Sequence, residues 1–214
     1  MDRLTVAIVI PALNEAGTIS AVVERVRPFG VPIVIDDGST DDTAEIATRA
    51  GACVVRHERN QGYDAALNTG CAEAAKQGFA YLLTIDADGQ HQPHLIATLL
   101  AEFERGADIV IGQRNRLARP AERLFALIGR YKWRIADPLC GMKAYKTELY
   151  KRLGHLDSYR SVGTELALFA AATGAKVAQV PITVLPRLDQ PRFGNQLVAN
   201  CKILRALFIG LIKF

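Results

Sequence analysis

Asp86 and Asp88 close the segment LLTIDADGQH, residues 82–91, where an apolar run ends in two carboxylates separated by one alanine. Bringing two like charges to the end of a core strand is costly unless something of opposite charge compensates them. Few hard oxygen ligands with no clustered His or Cys suit Mg2+ or Mn2+ bridged to a phosphorylated ligand. Gln90 can add a carbonyl oxygen, and Gly89 lets the chain turn and a ligand come close to the backbone. His91 and His94 read as polar loop residues or the start of a helix. An isolated D-x-D is far more often an Asp-rich turn than a metal site. Here the apolar lead-in and three companion loops reverse that preference.

Those companions are PALNE (11–15), DDGST (36–40) and RNQG (59–62), each placed just after an apolar run. The runs Thr5–Ile10, Val31–Ile35, Ala52–Arg56, Tyr81–Ile85 and Asp108–Ile111 are almost unbroken in Val, Ile and Leu, the pattern of strands covered on both faces. Between them Gly17–Arg27, Asp42–Ala50, Tyr63–Gln77 and Pro93–Arg105 read as helices. Asp41 or Asp42 is placed to cap the second, and Gly51, Gly78 and Gly106 stand where three should stop. Strand–helix alternation predicts an α/β fold, a doubly wound, mostly parallel sheet with helices on both faces. Ligands of such sheets sit beyond the carboxyl ends of the strands, where all four polar loops converge.

Residues 112–140 are arginine-rich with no strand signal. A helix at Gly163–Thr173, a strand at Lys176–Leu185 and a helix at Gln196–Phe214 follow. The 214 residues are 50% hydrophobic and 22% charged, ordinary for one globular domain. The division expected is a nucleotide and metal half (1–111), an acceptor half (112–195) and a C-terminal amphipathic helix (196–214). Residues 1–110 carry a net charge of −8 and residues 111–214 a net +12, which favours cations in the first half and anions in the second. Cys53, Cys71, Cys140 and Cys201 are far apart with no C-x-x-C spacing, and read as reduced, mostly buried thiols of a cytoplasmic protein. Leu4–Leu13 reads as a buried strand rather than a signal peptide, and no window suits a membrane-spanning helix.

VIPALNE, VIDDGSTDDT, NQGYDAALNTG, DADGQH, IGQR, DPLCGMKAY, GTELALFA and VPITVLPR, in this order over residues 5–187, resemble the inverting family-2 glycosyltransferases of GT-A fold. The polyprenyl- and dolichol-phosphate sugar transferases look nearest. The resemblance implies a nucleoside-diphosphate sugar, UDP- or GDP-linked, held by Pro11, Leu13, Asn14, Glu15, Asp37, Gly38, Asn60, Gly62, Asp86 and Ala87. Glu15 and Asp37 would accept hydrogen bonds from ribose or base, while one of Asp36 and Asp37 caps a helix. Asp86, Asp88 and Gln90 map onto the family's metal motif, Asp88 counting also among the catalytic residues.

Between Arg114 and Arg134 lie six arginines and one lysine against a single acid, Glu122. Arginine suits bidentate phosphate recognition. Aromatics are not interleaved as stacking platforms, so no nucleic-acid partner is expected. The resemblance implies that Arg114, Arg123 and Arg187 hold donor and acceptor phosphates. A phosphate monoester is already largely anionic at pH 7, whereas a hydroxyl acceptor needs a general base. Asp137 and Glu165 are the carboxylates placed to serve, Glu165 having helix-dipole stabilisation as its other role. The polyprenyl-phosphate relatives often follow the late arginine with a serine–lysine segment. Here RLDQPRFGN stands instead, which keeps a saccharide hydroxyl acceptor, and a non-catalytic nucleotide-sugar binding module, in view. A nucleotidyltransferase would need a glycine-rich basic loop after the first strand, and PALNE is not one. LVANCKILRALFIGLIKF is apolar on much of its circumference. It is expected to pack on the domain, lie at the inner face of the membrane, meet a membrane-protein partner or form a homodimer.

Overall fold

A computed structural model describes residues 5–89, 94–161, 163–183 and 196–214. The first strand, β1 (Val6–Ala12), is buried along its whole length. It is followed by α1 (Ile19–Val26), whose buried Ile19, Val22, Val23 and Val26 recur with helical spacing. β2 (Val31–Asp36), α2 (Thr43–Arg49), β3 (Cys53–Arg56), α3 (Tyr63–Lys76), β4 (Tyr81–Thr84), α4 (Leu95–Glu104) and β5 (Ile109–Arg114) continue the alternation. The second half adds α5 (Pro120–Lys132), β6 (Lys143–Lys146), α6 (Thr147–Leu153), α7 (Glu165–Ala172), β7 (Val177–Ile182) and α8 (Gln196–Lys213).

One seven-stranded sheet runs through both halves in the order β3-β2-β1-β4-β6-β5-β7. Every pairing is parallel except those of β6, which runs antiparallel to β4 and β5. The fold is therefore the α/β, mostly parallel sheet expected, with one reversed strand. That reversal matters for the site. Because Thr84 pairs with Lys143, the start of β6 lies level with the end of β4, and the loop before β6 joins the carboxyl rim.

The expected strands and helices of the first half are present within a residue or two at most ends. Gly51, Gly78 and Gly106 follow helix ends with positive φ. Asp41, not Asp42, caps α2: its carboxylate accepts the N–H of Thr43 at 3.1 Å, while Asp42 makes no side-chain cap. Pro93 lies outside the described residues. The segment 112–140, read as arginine-rich with no strand signal, holds the end of β5 and the helix α5. Its signs were Pro120 at the first turn, Glu122 beside it, and Ala121, Phe125 and Gly129 four residues apart on the buried face. The cysteines differ from expectation as well: Cys71 and Cys140 are buried, but Cys53 and Cys201 are exposed. Burial pushes both inner thiols up to about 12.

Candidate active site

The loop after β1 carries Asn14 in the left-handed region, at φ 51°. Asparagine tolerates that conformation through local hydrogen bonds, and here its Oδ1 accepts the N–H of Thr40 at 2.8 Å. Its own N–H reaches Ser39 Oγ at 2.8 Å, and the N–H of Glu15 reaches Thr43 Oγ1 at 2.8 Å. Pro11 is buried, Leu13 half-buried, and the Glu15 carboxylate accepts the Thr18 hydroxyl at 3.0 Å. The PALNE loop is thus sewn to DDGST.

Of the aspartate pair, Asp36 is fully buried: Oδ1 accepts the N–H of Ser39 at 3.1 Å and Oδ2 lies 3.1 Å from Arg56 Nε. Asp37 holds the third loop. Its oxygens accept the N–H groups of Gln61 (2.9 Å) and Gly62 (2.8 Å), and Oδ1 lies 2.7 Å from His57 Nδ1. A carboxylate is acceptor only, so Nδ1 carries the proton. With three hydrogen bonds placed inside the protein, Asp37 shapes the Asn60–Gly62 wall. Gly38 is obligatory there, since at φ 76° a Cβ would sit 2.7 Å from Asn60 N.

From Gly62 the wall continues to Tyr63, whose hydroxyl donates to Asp86 Oδ1 at 3.0 Å. Burial, then the charge of Asp86, raises the phenol's pKa well above its ordinary value and keeps it a donor. Gly141 also lies against Asp86, and a Cβ there would meet the Asp86 carboxylate. Thr84 Oγ1 fixes that loop by donating to Gly141 O at 2.7 Å. Lys143 is 3% exposed and donates to Gly163 O at 3.0 Å. Burial lowers its pKa against the pull of Cys140, Asp137 and Asp86. Ala87 and Asp88 are buried beside Asp86, and Gln90 lies outside the described residues. Among the described residues no three His, Cys, Asp or Glu side chains gather around one point. Two carboxylates at a strand end, beside a glycine whose Cβ would meet one of them, fit a Mg2+ or Mn2+ ion completed by substrate phosphate. They do not fit a metal held by protein alone.

Asp137, one of the two carboxylates offered as a base, is paired with Arg114. Arg114 Nε donates to Oδ2 at 2.7 Å, Arg114 NH2 to Oδ1 at 2.9 Å, and the Arg114 N–H to Oδ2 at 3.1 Å. At 2% exposure, this carboxylate faces the guanidinium and not an acceptor. Burial opposes the Arg114 charge, but Asp137 and Glu122 outweigh it and raise the arginine's pKa. Glu165, in the first turn of α7, is enclosed as well. It is fully buried and accepts from Ser158 N and Oγ, from His155 Nε2 at 3.1 Å and from Lys213 Nζ. It ties α7 to the last turn of α8.

Beyond Arg114 opens a cleft of about 410 Å3 lined by Gln113, Arg114, Asn115, Arg116, Leu117, Arg123, Arg130 and Ala136. Arg114 and Arg123 both line it, joined by Arg116 and Arg130, which the sequence offered only as part of an arginine run. Arg187 lies outside the described residues. His57, Tyr63 and Lys143 were not singled out from the sequence either; only Tyr63 carried a signal, as a polar aromatic next to a loop glycine.

The profile of Glycosyl transferase family 2 matches residues 7–154. A Mycobacterium bovis protein named as an uncharacterised glycosyltransferase is 32% identical over 218 residues, covering 98% of this chain and 95% of its own. The undecaprenyl-phosphate mannosyltransferase of Micrococcus luteus is 29% identical over 225 residues, covering 94% of this chain and 92% of its own. Glucosyl-3-phosphoglycerate synthase from Mycobacterium tuberculosis, solved in complex with Mn2+ and uridine-diphosphate-glucose, superposes with a TM-score of 0.77 at 25% identity. That superposition covers 97% of this chain and 79% of that one.

Proposed function

This chain belongs to glycosyl transferase family 2, and from that membership we propose that it moves a sugar, with inversion, from a UDP- or GDP-sugar to a polyprenyl phosphate. The observation that carries the acceptor is the cleft in which Arg114, Arg116, Arg123 and Arg130 meet. Arg114 is already paired with Asp137 and Glu122, and the three arginines beside it suit a doubly charged phosphate far better than a neutral hydroxyl. Both carboxylates that could have served as a base are enclosed in ion pairs, and a phosphate monoester needs none.

In this reading the nucleoside lies against Pro11–Glu15, Gly38 and the Asn60–Gly62 wall that Asp37 holds in place. Asp86 and Asp88 hold a divalent cation, which when bound neutralises charge on the departing diphosphate. Tyr63 and Gly141 fix the Asp86 carboxylate, and Asp137 fixes Arg114. A phosphate oxygen of the acceptor forms the new bond to the anomeric carbon as the bond to the nucleoside diphosphate breaks, and no proton has to be removed. Orientation supplies most of the rate.

The test is a transfer assay with labelled UDP- and GDP-sugars, Mn2+, and three acceptors: a polyprenyl phosphate, a soluble phosphorylated acid and an oligosaccharide. Label carried into the lipid fraction supports the reading. Transfer to the soluble phosphate alone would keep the arginine cleft and remove the lipid, and transfer to the oligosaccharide alone would overturn both.

A further inference from the structure

Two packed helices, α5 and α8, leave large apolar side chains in solvent. On α5 these are Leu124, Leu127 (67%) and Tyr131 (94%); on α8 they include Leu204, Phe208 (64%) and Ile212 (71%). Each set is a single stripe, since residues three, four or seven apart share a helix face. At ~100° per residue the flanks of each stripe can be assigned. Arg205 and Lys213 lie on one flank of the α8 stripe and donate to Tyr159 O and Glu165 Oε1, so that flank meets the 158–165 segment. The other flank turns towards α5, where Lys132 Nζ donates to Leu211 O at 2.9 Å. On α5 the order around the helix runs from Lys132, on the α8 side, through Leu124, Tyr131 and Leu127, to Arg123 and Arg130. Those two arginines line the cleft. The two apolar stripes and the arginine cleft are therefore neighbours, in that order.

We propose that this α5–α8 face seats the protein on the surface of an anionic lipid bilayer. Charge selects the occupant. The two helices carry Arg123, Arg130, Lys132, Lys202 and Arg205, besides Lys213, which is paired with Glu165, and their one acid, Glu122, is buried in ion pairs with Arg114 and Arg119. A second copy of the same face would set like charges against each other, whereas anionic headgroups complement them and the stripes enter the acyl boundary. Among the described residues no helix is long and apolar enough to cross a membrane, which is consistent with seating on the surface. The inference deepens the lipid-phosphate reading, because a seated protein opens its arginine cleft at headgroup level. It stands, however, on the exposed stripes and not on the chemistry of transfer.

The experiment is co-sedimentation of the full chain with phosphatidylcholine vesicles and with vesicles of equal parts phosphatidylcholine and phosphatidylglycerol. The double variant Leu127→Glu/Phe208→Glu is measured beside the wild type. The wild type is expected to pellet with the anionic vesicles and much less with the neutral ones. The double variant should retain its Tm and its Mn2+-dependent nucleotide-sugar binding, yet bind the vesicles about tenfold less or weaker still. A wild type that stays in the supernatant with both vesicles overturns the proposal. So does a wild-type dimer that the double variant converts to monomer in sedimentation equilibrium, which would give the face to a second copy. Vesicle binding that persists while no sugar reaches a lipid phosphate would sink the function proposed above and leave this surface intact.

Discussion

The guanidinium of Arg114 and the carboxylate of Asp137 meet fork to fork, at 2.7 and 2.9 Å, with the Arg114 N–H adding a third bond at 3.1 Å. The pair joins the end of β5 to the loop before β6, so it fixes where the arginine cleft begins relative to the Asp86 side of the rim. Removing one partner of such a pair leaves a desolvated charge behind. Asp137→Ala is expected to cost about 3 kcal/mol of stability, seen as a lower denaturant midpoint. Asp137→Asn keeps the shape and one acceptor, and should fold normally while raising the KM for the phosphate acceptor more than it lowers kcat. A reversed split, with kcat collapsing and KM unchanged, would return Asp137 to the role of base.

A phosphate acceptor would make its own ionisation govern the pH profile. With no protein base in use, kcat/KM should rise as the acceptor phosphate loses its second proton near pH ~6 and stay level from there to about pH 8. Asp137→Asn should show the same rise at the same pH. A rise that moves with the variant, or that persists with an acceptor of different phosphate pKa, would show a titrating side chain at work.

How much of this was legible in the sequence depends on how local the cause was. The first five strands, Asp86 and Asp88 were readable because unbroken apolar runs ending in polar loops fix both element and rim. Arg114 and Arg123 were readable as members of an arginine run. The tasks of Asp137 and Glu165 were not, because their partners Arg114 and Lys213 lie 23 and 48 residues away and only the folded chain brings them together. β6 was hidden for a similar reason. KAYK has no alternating pattern of its own, and it is a strand because β4 and β5 pair with it on both sides. The helix α5 was within reach, since Pro120 and the four-residue spacing of Ala121, Phe125 and Gly129 were visible behind the arginines.

Gly141 and Tyr63 both lie against the Asp86 carboxylate, and each can be tested alone. Gly141→Ala puts a methyl group where Asp86 now lies. The protein should keep most of its stability while Mn2+-dependent binding of the nucleotide sugar, followed by thermal shift, is largely lost. Tyr63→Phe removes a hydrogen bond to a charged group, worth roughly 1.5 kcal/mol, so donor affinity should fall about tenfold with little change in fold. Asp88→Ala should abolish the metal dependence itself. Normal Mn2+-dependent binding in either the Gly141 or the Asp88 variant would detach this strand end from the donor.

Glu165 offers a prediction about stability and pH. Burial alone would raise its pKa, but Lys213, the Ser158 N–H and His155 together hold it below the ordinary glutamate value of 4.5. A carboxyl whose folded pKa is depressed binds its proton less readily when folded than when unfolded. Its contribution to stability is therefore complete above about pH 4.5 and is lost as pH falls through the lower folded value. Glu165→Gln should lower the denaturant midpoint at pH 7 and flatten its decline below pH 4.5, because that proton is no longer taken up on unfolding. Lys213→Met should reproduce part of both effects, and because Lys213 sits on α8, it should also loosen that helix in hydrogen exchange. An unchanged slope in Glu165→Gln would mean that the carboxylate is held no more tightly in the folded chain than in the unfolded one.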